Sequence, residues 1–225
     1  MDFDPLFLRN GLIVFILLVA SIAFHEWGHA KVADLLGDDT PRGDGRVTLN
    51  PLSHLDMVGS VIFPLLNIFV FGGGFPFIAW GRPVVTNPSN LRNRWRDDLL
   101  ISMAGPAANL LVALVSILAG CLVVVAQPRL GELVKSLVVM NVGLAVFNIL
   151  PIPPLDGASV LRRLVGMSEE TYFTVSRWSG LVMLLVINIS VTQRLIAYAV
   201  ARACWPYAAL CAWISPAAFP LIFHP

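Results

Sequence analysis

Charge is what this sequence most lacks. Only 13% of its 225 residues are charged, against 57% hydrophobic, and the mean hydropathy is +0.78. That excludes an ordinary soluble domain and points to a polytopic membrane protein. The few charges nearly cancel, at a formal +1, and no basic run is long enough to hold a nucleic acid, so no nucleic-acid partner is expected. Cysteine is scarce too. Cys121, Cys204 and Cys211 are odd in number and stand in apolar segments without a C-x-x-C pair, which leaves neither a disulfide framework nor a thiolate zinc site. The basic start of a cleavable signal peptide is also missing: Asp2 and Asp4 spoil it, and cleavage after Ser21-Ile22-Ala23 would cut the first helix just ahead of His25. The segment therefore reads as a retained membrane helix. With no repeats, low-complexity segments or appended soluble domain in view, residues 1–225 are expected to form one integral membrane domain.

What the sequence does hold is a long apolar run, Leu12 to Phe24, that opens directly onto His25-Glu26-Trp27-Gly28-His29. Two histidines four residues apart with a glutamate after the first form the H-E-x-x-H pattern of zinc peptidases. On one helix, expected from about Asn10 to Leu36, four residues turn through about 400°, so His25 and His29 lie on one face and can share a metal ion. Glu26 sits about 100° further round, off the ligand row but near enough to act as a general base on water. A histidine in an apolar setting is more often a hydrogen-bonded structural residue. Here, however, burying an ionisable group at membrane depth costs on the order of 2 to 3 kcal/mol, so a run of such groups is a functional hypothesis by default.

Further along, residues 37 to 56 turn polar, and Arg42 to Arg46 followed by Val47-Thr48-Leu49-Asn50-Pro51 reads as a turn feeding a short, exposed strand. His54 follows as a candidate neighbour of the site, although a lone loop histidine is usually only solvated. Met57 to Phe71 is apolar but short for a crossing and contains Pro64. Phe75 to Asp98 mixes Trp80 and Trp95 with arginines 82, 92, 94 and 96, which suits a membrane interface as well as a solvated loop. Leu99 to Ala126 and Leu133 to Leu150 read as membrane helices, the first opening on Ala104-Gly105-Pro106-Ala107-Ala108-Asn109, where small residues permit close helix packing. Thr171 to Thr192 and Leu195 to Ile214 complete the set, with Trp205 and Trp213 as interface anchors. Between the middle pair and the last pair, Pro151-Ile152-Pro153-Pro154-Leu155-Asp156-Gly157 ends a helix and presents a carboxylate. Alone it is a turn signal. Hydrolytic zinc sites generally use three protein ligands and one open position, and beside two histidines Asp156 is the best unpaired carboxylate available.

Taken together, His25-Glu26-x-x-His29, Ala104-Gly105-Pro106-x-x-Asn109 and Asn148-x-x-Pro151-x-Pro153-Pro154-Leu155-Asp156-Gly157 resemble the site-2 protease family of intramembrane zinc metalloproteases, over about residues 10 to 165. Gly45-Arg46-Val47-Thr48-Leu49-Asn50-Pro51 and Trp80-Gly81-Arg82-Pro83-Val84 look like its compact prokaryotic branch, without PDZ or CBS modules. The resemblance implies one zinc ion held by His25, His29 and Asp156, Glu26 as catalytic base, and Asn148 holding the substrate or its oxyanion. The substrate would be a transmembrane protein or peptide.

A peptide bond inside a bilayer is locked in a helix, so it must unwind before water can attack. Residues 46 to 50 (Arg46, Val47, Thr48, Leu49 and Asn50) are expected to receive the extended substrate by strand addition. The rival reading, a protein that binds or transports a metal through the same His-His-Asp set, has no use for Glu26. The expected fold is all-α, with about five to six membrane helices and a short β or re-entrant element after the first. For Asp156 to reach a metal on the first helix, both must face one leaflet, so residues 57 to 71 are expected to dip in and return, leaving five full crossings. The arginine-rich side would be cytoplasmic. That puts the site nearer the cytoplasm, and the resemblance to the prokaryotic branch implies a prokaryotic plasma membrane.

Overall fold

The computed structural model describes residues 4–72 and 79–223; residues 75–78 of the interfacial stretch expected from Phe75, and Gly73 and Gly74, lie outside them. Among the described residues the chain is all-helical, with no strand; one isolated antiparallel bridge joins Leu55 to Gly81. Among the described residues four segments are long and apolar enough to cross a membrane: Pro5–Leu35, Arg94–Val123, Pro128–Asn148 and Ser190–Ile214. The chain is an integral membrane protein.

Helix α1, Pro5–Leu35, starts earlier than its apolar run because Asp4 caps it, accepting from the Leu6 amide at 2.9 Å, with Pro5 at the first position. It ends before Gly37, whose φ of +104° suits only glycine. The single turn α2, Thr40–Gly43, follows. Asp38 then gathers the loops, accepting from the Thr40 hydroxyl at 2.6 Å, the Asn87 amide at 2.7 Å and Asn90 Nδ2 at 3.0 Å. A wide π-helical turn, Met57–Ile62, capped by Asp56, runs into α3, Phe63–Phe69. The whole apolar piece, Met57–Phe69, is too short to cross a core that needs about 20 residues. It packs on the N-terminal half of α1, where Phe7 and Phe69 meet edge to face at 6.0 Å.

Helix α4, Arg94–Val123, begins well before its apolar stretch because Asn93 and Asp97 cap each other: Asn93 Oδ1 accepts from the Arg96 amide and Asp97 Oδ2 from the Asn93 amide. Pro106 inside it removes the donor that would serve the Ser102 carbonyl. Helix α5, Gly131–Asn148, stops short of the three prolines, and α6, Asp156–Leu164, starts directly after them. There is no room for a side chain on Gly157, which presses on the Ile149 carbonyl and so folds the start of α6 back on the end of α5. Helices α7, Glu169–Asn188, α8, Ser190–Ile214, and α9, Phe219–Phe223, complete the chain.

The main core lies between α4, α5, α8 and α9, around Ala113, Ile117, Val138, Val142, Cys211 and Ile222. Leu111, Val115 and Leu122 of α4 and Trp205 and Trp213 of α8 point outward, the face such helices offer to lipid. The strand expected over residues 47–51 does not form. Arg46 is buried and donates to the Arg82 carbonyl, and the Thr48 carbonyl is taken by His54 Nε2 at 2.7 Å, so the segment bends instead of presenting an edge.

Candidate metal centre and active site

One face of α1 carries His25 and His29, and the first turn of α6 carries Asp156. Their convergence is tight. The two Nε2 atoms stand 3.2 Å apart, Asp156 Oδ2 is 3.2 Å from His25 Nε2, and Asp156 Oδ1 is 3.3 Å from His29 Nε2. One ligand atom from each lies within 4.8 Å of the others.

The far nitrogen of each ring is held by α4. His29 Nδ1 donates to the Ile101 carbonyl at 2.7 Å, and His25 Nδ1 lies 2.7 Å from Asn109 Oδ1. A carbonyl can only accept, so the ring protons sit on Nδ1 and both Nε2 lone pairs aim at Asp156. Asp156 Oδ2 is buried without a hydrogen-bond donor. Three buried, electron-rich atoms so close together are stable only around a cation, and two imidazoles with one carboxylate are a zinc donor set. The residues therefore fit the metal. Gly105 of α4 closes the site from one side: a Cβ there would lie 2.6 Å from His25 Cε1, 2.7 Å from His25 Nε2 and closer still to His29 Nε2.

Glu26 is buried on the same helix and faces the cleft that contains the cluster, a cavity of about 740 Å³. Gly81 is pressed against it, and a Cβ there would stand 2.7 Å from Glu26 Cγ. Asn148 at the end of α5 lines the same cleft and donates through Nδ2 to the Leu144 carbonyl at 3.0 Å. Asp98 and Arg162 line it as well; Asp98 pairs with Arg163 and lies 3.6 Å from Arg162 Nη2, which ties α6 to α4. None of residues 46–50 lines the cleft, and His54 lies away from it, its carbonyl accepting from the Arg82 amide at 2.8 Å. The non-helical chain along the cleft is instead residues 79–86, with Trp80, Gly81, Pro83, Val84 and Thr86 in the wall. The sequence held a signal for this, since Pro83 forbids a helix interior. It held none for Ile101, whose role belongs to its backbone, or for Asn109 as the partner of His25.

Fold and site together define a zinc metallopeptidase built into a membrane. The chain matches the family model described as peptidase family M50 over residues 123–187. It is 32% identical over 194 residues to "Putative zinc metalloprotease YwhC" of Bacillus subtilis, covering 83% of each chain. To "Putative zinc metalloprotease Rip2" of Mycolicibacterium smegmatis it is 32% identical over 187 residues, covering 79% of this chain and 68% of that one. No solved structure matches. The chain belongs to peptidase family M50, the site-2 proteases. It is an intramembrane zinc metalloendopeptidase acting on membrane-embedded protein substrates.

Proposed function

We propose that His25, His29 and Asp156 bind one zinc ion, that Glu26 is the catalytic base, and that Asn148 serves the oxyanion. The observation that carries this is the convergence of the two Nε2 atoms and the Asp156 carboxylate, whose Oδ2 is buried without a hydrogen-bond partner, on one point beside Glu26. Zinc, when bound, supplies a Lewis acid that polarises the scissile carbonyl and lowers the pKa of water. Glu26 takes the proton of the attacking water and hands it to the leaving amide nitrogen. The Asn148 amide turns from the Leu144 carbonyl to donate to the developing oxyanion. Gly81 and Gly105, without side chains, keep space open around base and ligands.

The substrate is a transmembrane segment unwound at the scissile bond. Residues 46–50 support its binding from behind through Arg46 on the Arg82 carbonyl, and the non-helical residues 79–86 lie along the cleft where the strand is presented. The domain is single, with its chemistry in residues 10–165 and further helices over 171–215. Counting α7 gives five crossings, with Met57–Phe69 re-entrant and the site nearer the cytoplasmic face of a prokaryotic plasma membrane. The arginine-rich loops support that orientation.

Glu26→Gln tests the reading. It keeps shape and metal and removes the base, so the purified variant retains wild-type zinc while cleavage falls by about 10²- to 10⁴-fold. Membrane proteomes from cells carrying wild type and variant should differ by fragments made only by the wild type. Cleavage retained by Glu26→Gln would assign the base elsewhere, and loss of metal uptake instead of cleavage would favour a transporter.

A further inference from the structure

His25 is the hydrogen-bond end of a buried relay that crosses three helices. Asn109 Nδ2 on α4 donates to the Ser21 carbonyl of α1 at 3.1 Å and to Asn141 Oδ1 on α5 at 2.9 Å. Asn141 Nδ2 donates to the Ser21 hydroxyl at 2.9 Å and to the Leu137 carbonyl at 2.9 Å. The Ser21 hydroxyl in turn donates to the Leu17 carbonyl at 2.7 Å. Ser21, Asn109 and Asn141 are 1%, 0% and 0% exposed, so water cannot replace any of these partners.

The order of donors follows from the carbonyls, which only accept. Leu137 forces the nitrogen end of Asn141 towards itself, so the oxygen end of Asn141 faces Asn109. That oxygen and the Ser21 carbonyl together draw the nitrogen end of Asn109, leaving Asn109 Oδ1 facing His25. His25 Nδ1 must then be the donor, and its Nε2 lone pair faces Asp156. With Asn109 turned over, an N–H would meet His25 Nδ1, the ring proton would move to Nε2, and the ring could not bind a metal there.

We infer that Asn141, which touches neither ligand nor cleft, is a positioning residue for the metal. It fixes the amide of Asn109 and through it the metal-binding nitrogen of His25. This rests on His25 being a zinc ligand. The competing account is that the relay merely glues α1, α4 and α5 together, as polar residues between membrane helices often do. The two accounts differ when the amide is replaced by a group with no wrong way round. In Asn109→Asp both side-chain oxygens accept, so nothing remains for Asn141 to orient.

The experiment measures zinc affinity of the full chain in detergent by chelator competition, with thermal unfolding of the zinc-free protein alongside. Asn141→Leu should weaken zinc binding about 10-fold or more, as loss of an outer-shell partner does. On the Asn109→Asp background the same change should cost less than about 2-fold, the scatter of independent sites. If Asn141→Leu does not fold, Asn141→Ala makes the same comparison with a smaller side chain. Equal losses on both backgrounds, or no loss on the first, overturn the relay while leaving the zinc site standing. Undiminished zinc binding by His25→Ala overturns the site itself and the relay with it.

Discussion

A single methyl group added at Gly105 should cost this enzyme its metal. Gly105 faces His25 and His29, the two histidines proposed as ligands, and a Cβ there would stand 2.6 Å and 2.7 Å from His25 Cε1 and Nε2, and nearer still to His29 Nε2. With optimal separation near 3.5 Å, the rings would have to retreat by about 0.8 Å or more. Neither helix can give that distance. Both rings are pinned through Nδ1 to α4 itself, at Ile101 and Asn109, and Gly28 of α1 already abuts α4, where a Cβ would lie 2.7 Å from the Ala104 carbonyl oxygen. The rings therefore tilt away from Asp156. Misplacement on the order of 1 Å costs about 10²-fold in rate, and comparable disturbance of a zinc site roughly 10- to 100-fold in affinity. The zinc-free protein should change little, because the helix gain of about 1 kcal/mol from alanine offsets part of an overpacking cost of about 1 to 3 kcal/mol. Gly143 on α5, with nothing within 4 Å, is the control: Gly143→Ala should stabilise slightly and bind zinc as before. Chelator competition and thermal unfolding read both variants. Wild-type zinc affinity in Gly105→Ala, or an equal loss in Gly143→Ala, would refute the geometry.

Three further outcomes are open to measurement. Burial, with Arg46 beside it, pushes the His54 imidazole below its ordinary value despite the Thr48 carbonyl; it is neutral when folded and takes up a proton on unfolding below about pH 6.5, so stability falls as pH drops through that value. His54→Gln should flatten that part of the thermal-unfolding profile between pH 5 and 8, and an unchanged slope would mean another group is responsible. Asn148→Ala should keep its zinc and lower kcat by about 10²- to 10³-fold, as removal of an oxyanion donor does; a change confined to KM would make it a substrate clamp. Single cysteines at Asp39, Asn90 and Met167, in a chain freed of Cys121, Cys204 and Cys211, should all be labelled from one face, and Asn90 labelled from the other would show that Met57–Phe69 spans.

The convergence of His25, His29 and Asp156, the proposed ligand set, was legible because the spacing is itself the chemistry: a four-residue step on a helix needs no knowledge of the rest of the fold, and two histidines in a hydrolytic site call for a third ligand. Helix ends were less legible. A reading by hydropathy starts α4 at Leu99, whereas capping by Asn93 and Asp97 starts it at Arg94; the same holds for Asp4 and α1. Residues 46–50 have the alternation of a strand, but a strand needs an edge to pair with, and here the Arg46 side chain and the Thr48 carbonyl are both taken by the loops around them. The supports of the site were hidden for another reason. Asn109 and His25 are 84 positions apart, and the Gly-Pro segment carrying Asn109 looks the same whether it packs a helix or orients a ligand.

The order of the chain also governs when the enzyme comes into being. His25, Glu26 and His29 leave the ribosome in the first helix, while Asp156 follows only after α4 and α5 have been made. The Asn141 contact that steadies His25 belongs to α5 as well. A nascent or truncated chain ending before Pro151 thus carries the proposed base Glu26 and two imidazoles but lacks Asp156, the third member of the cluster. If His25, His29 and Asp156 are the ligands as proposed, the protease stays silent during its own membrane insertion, because that set closes only when the first six helices have assembled.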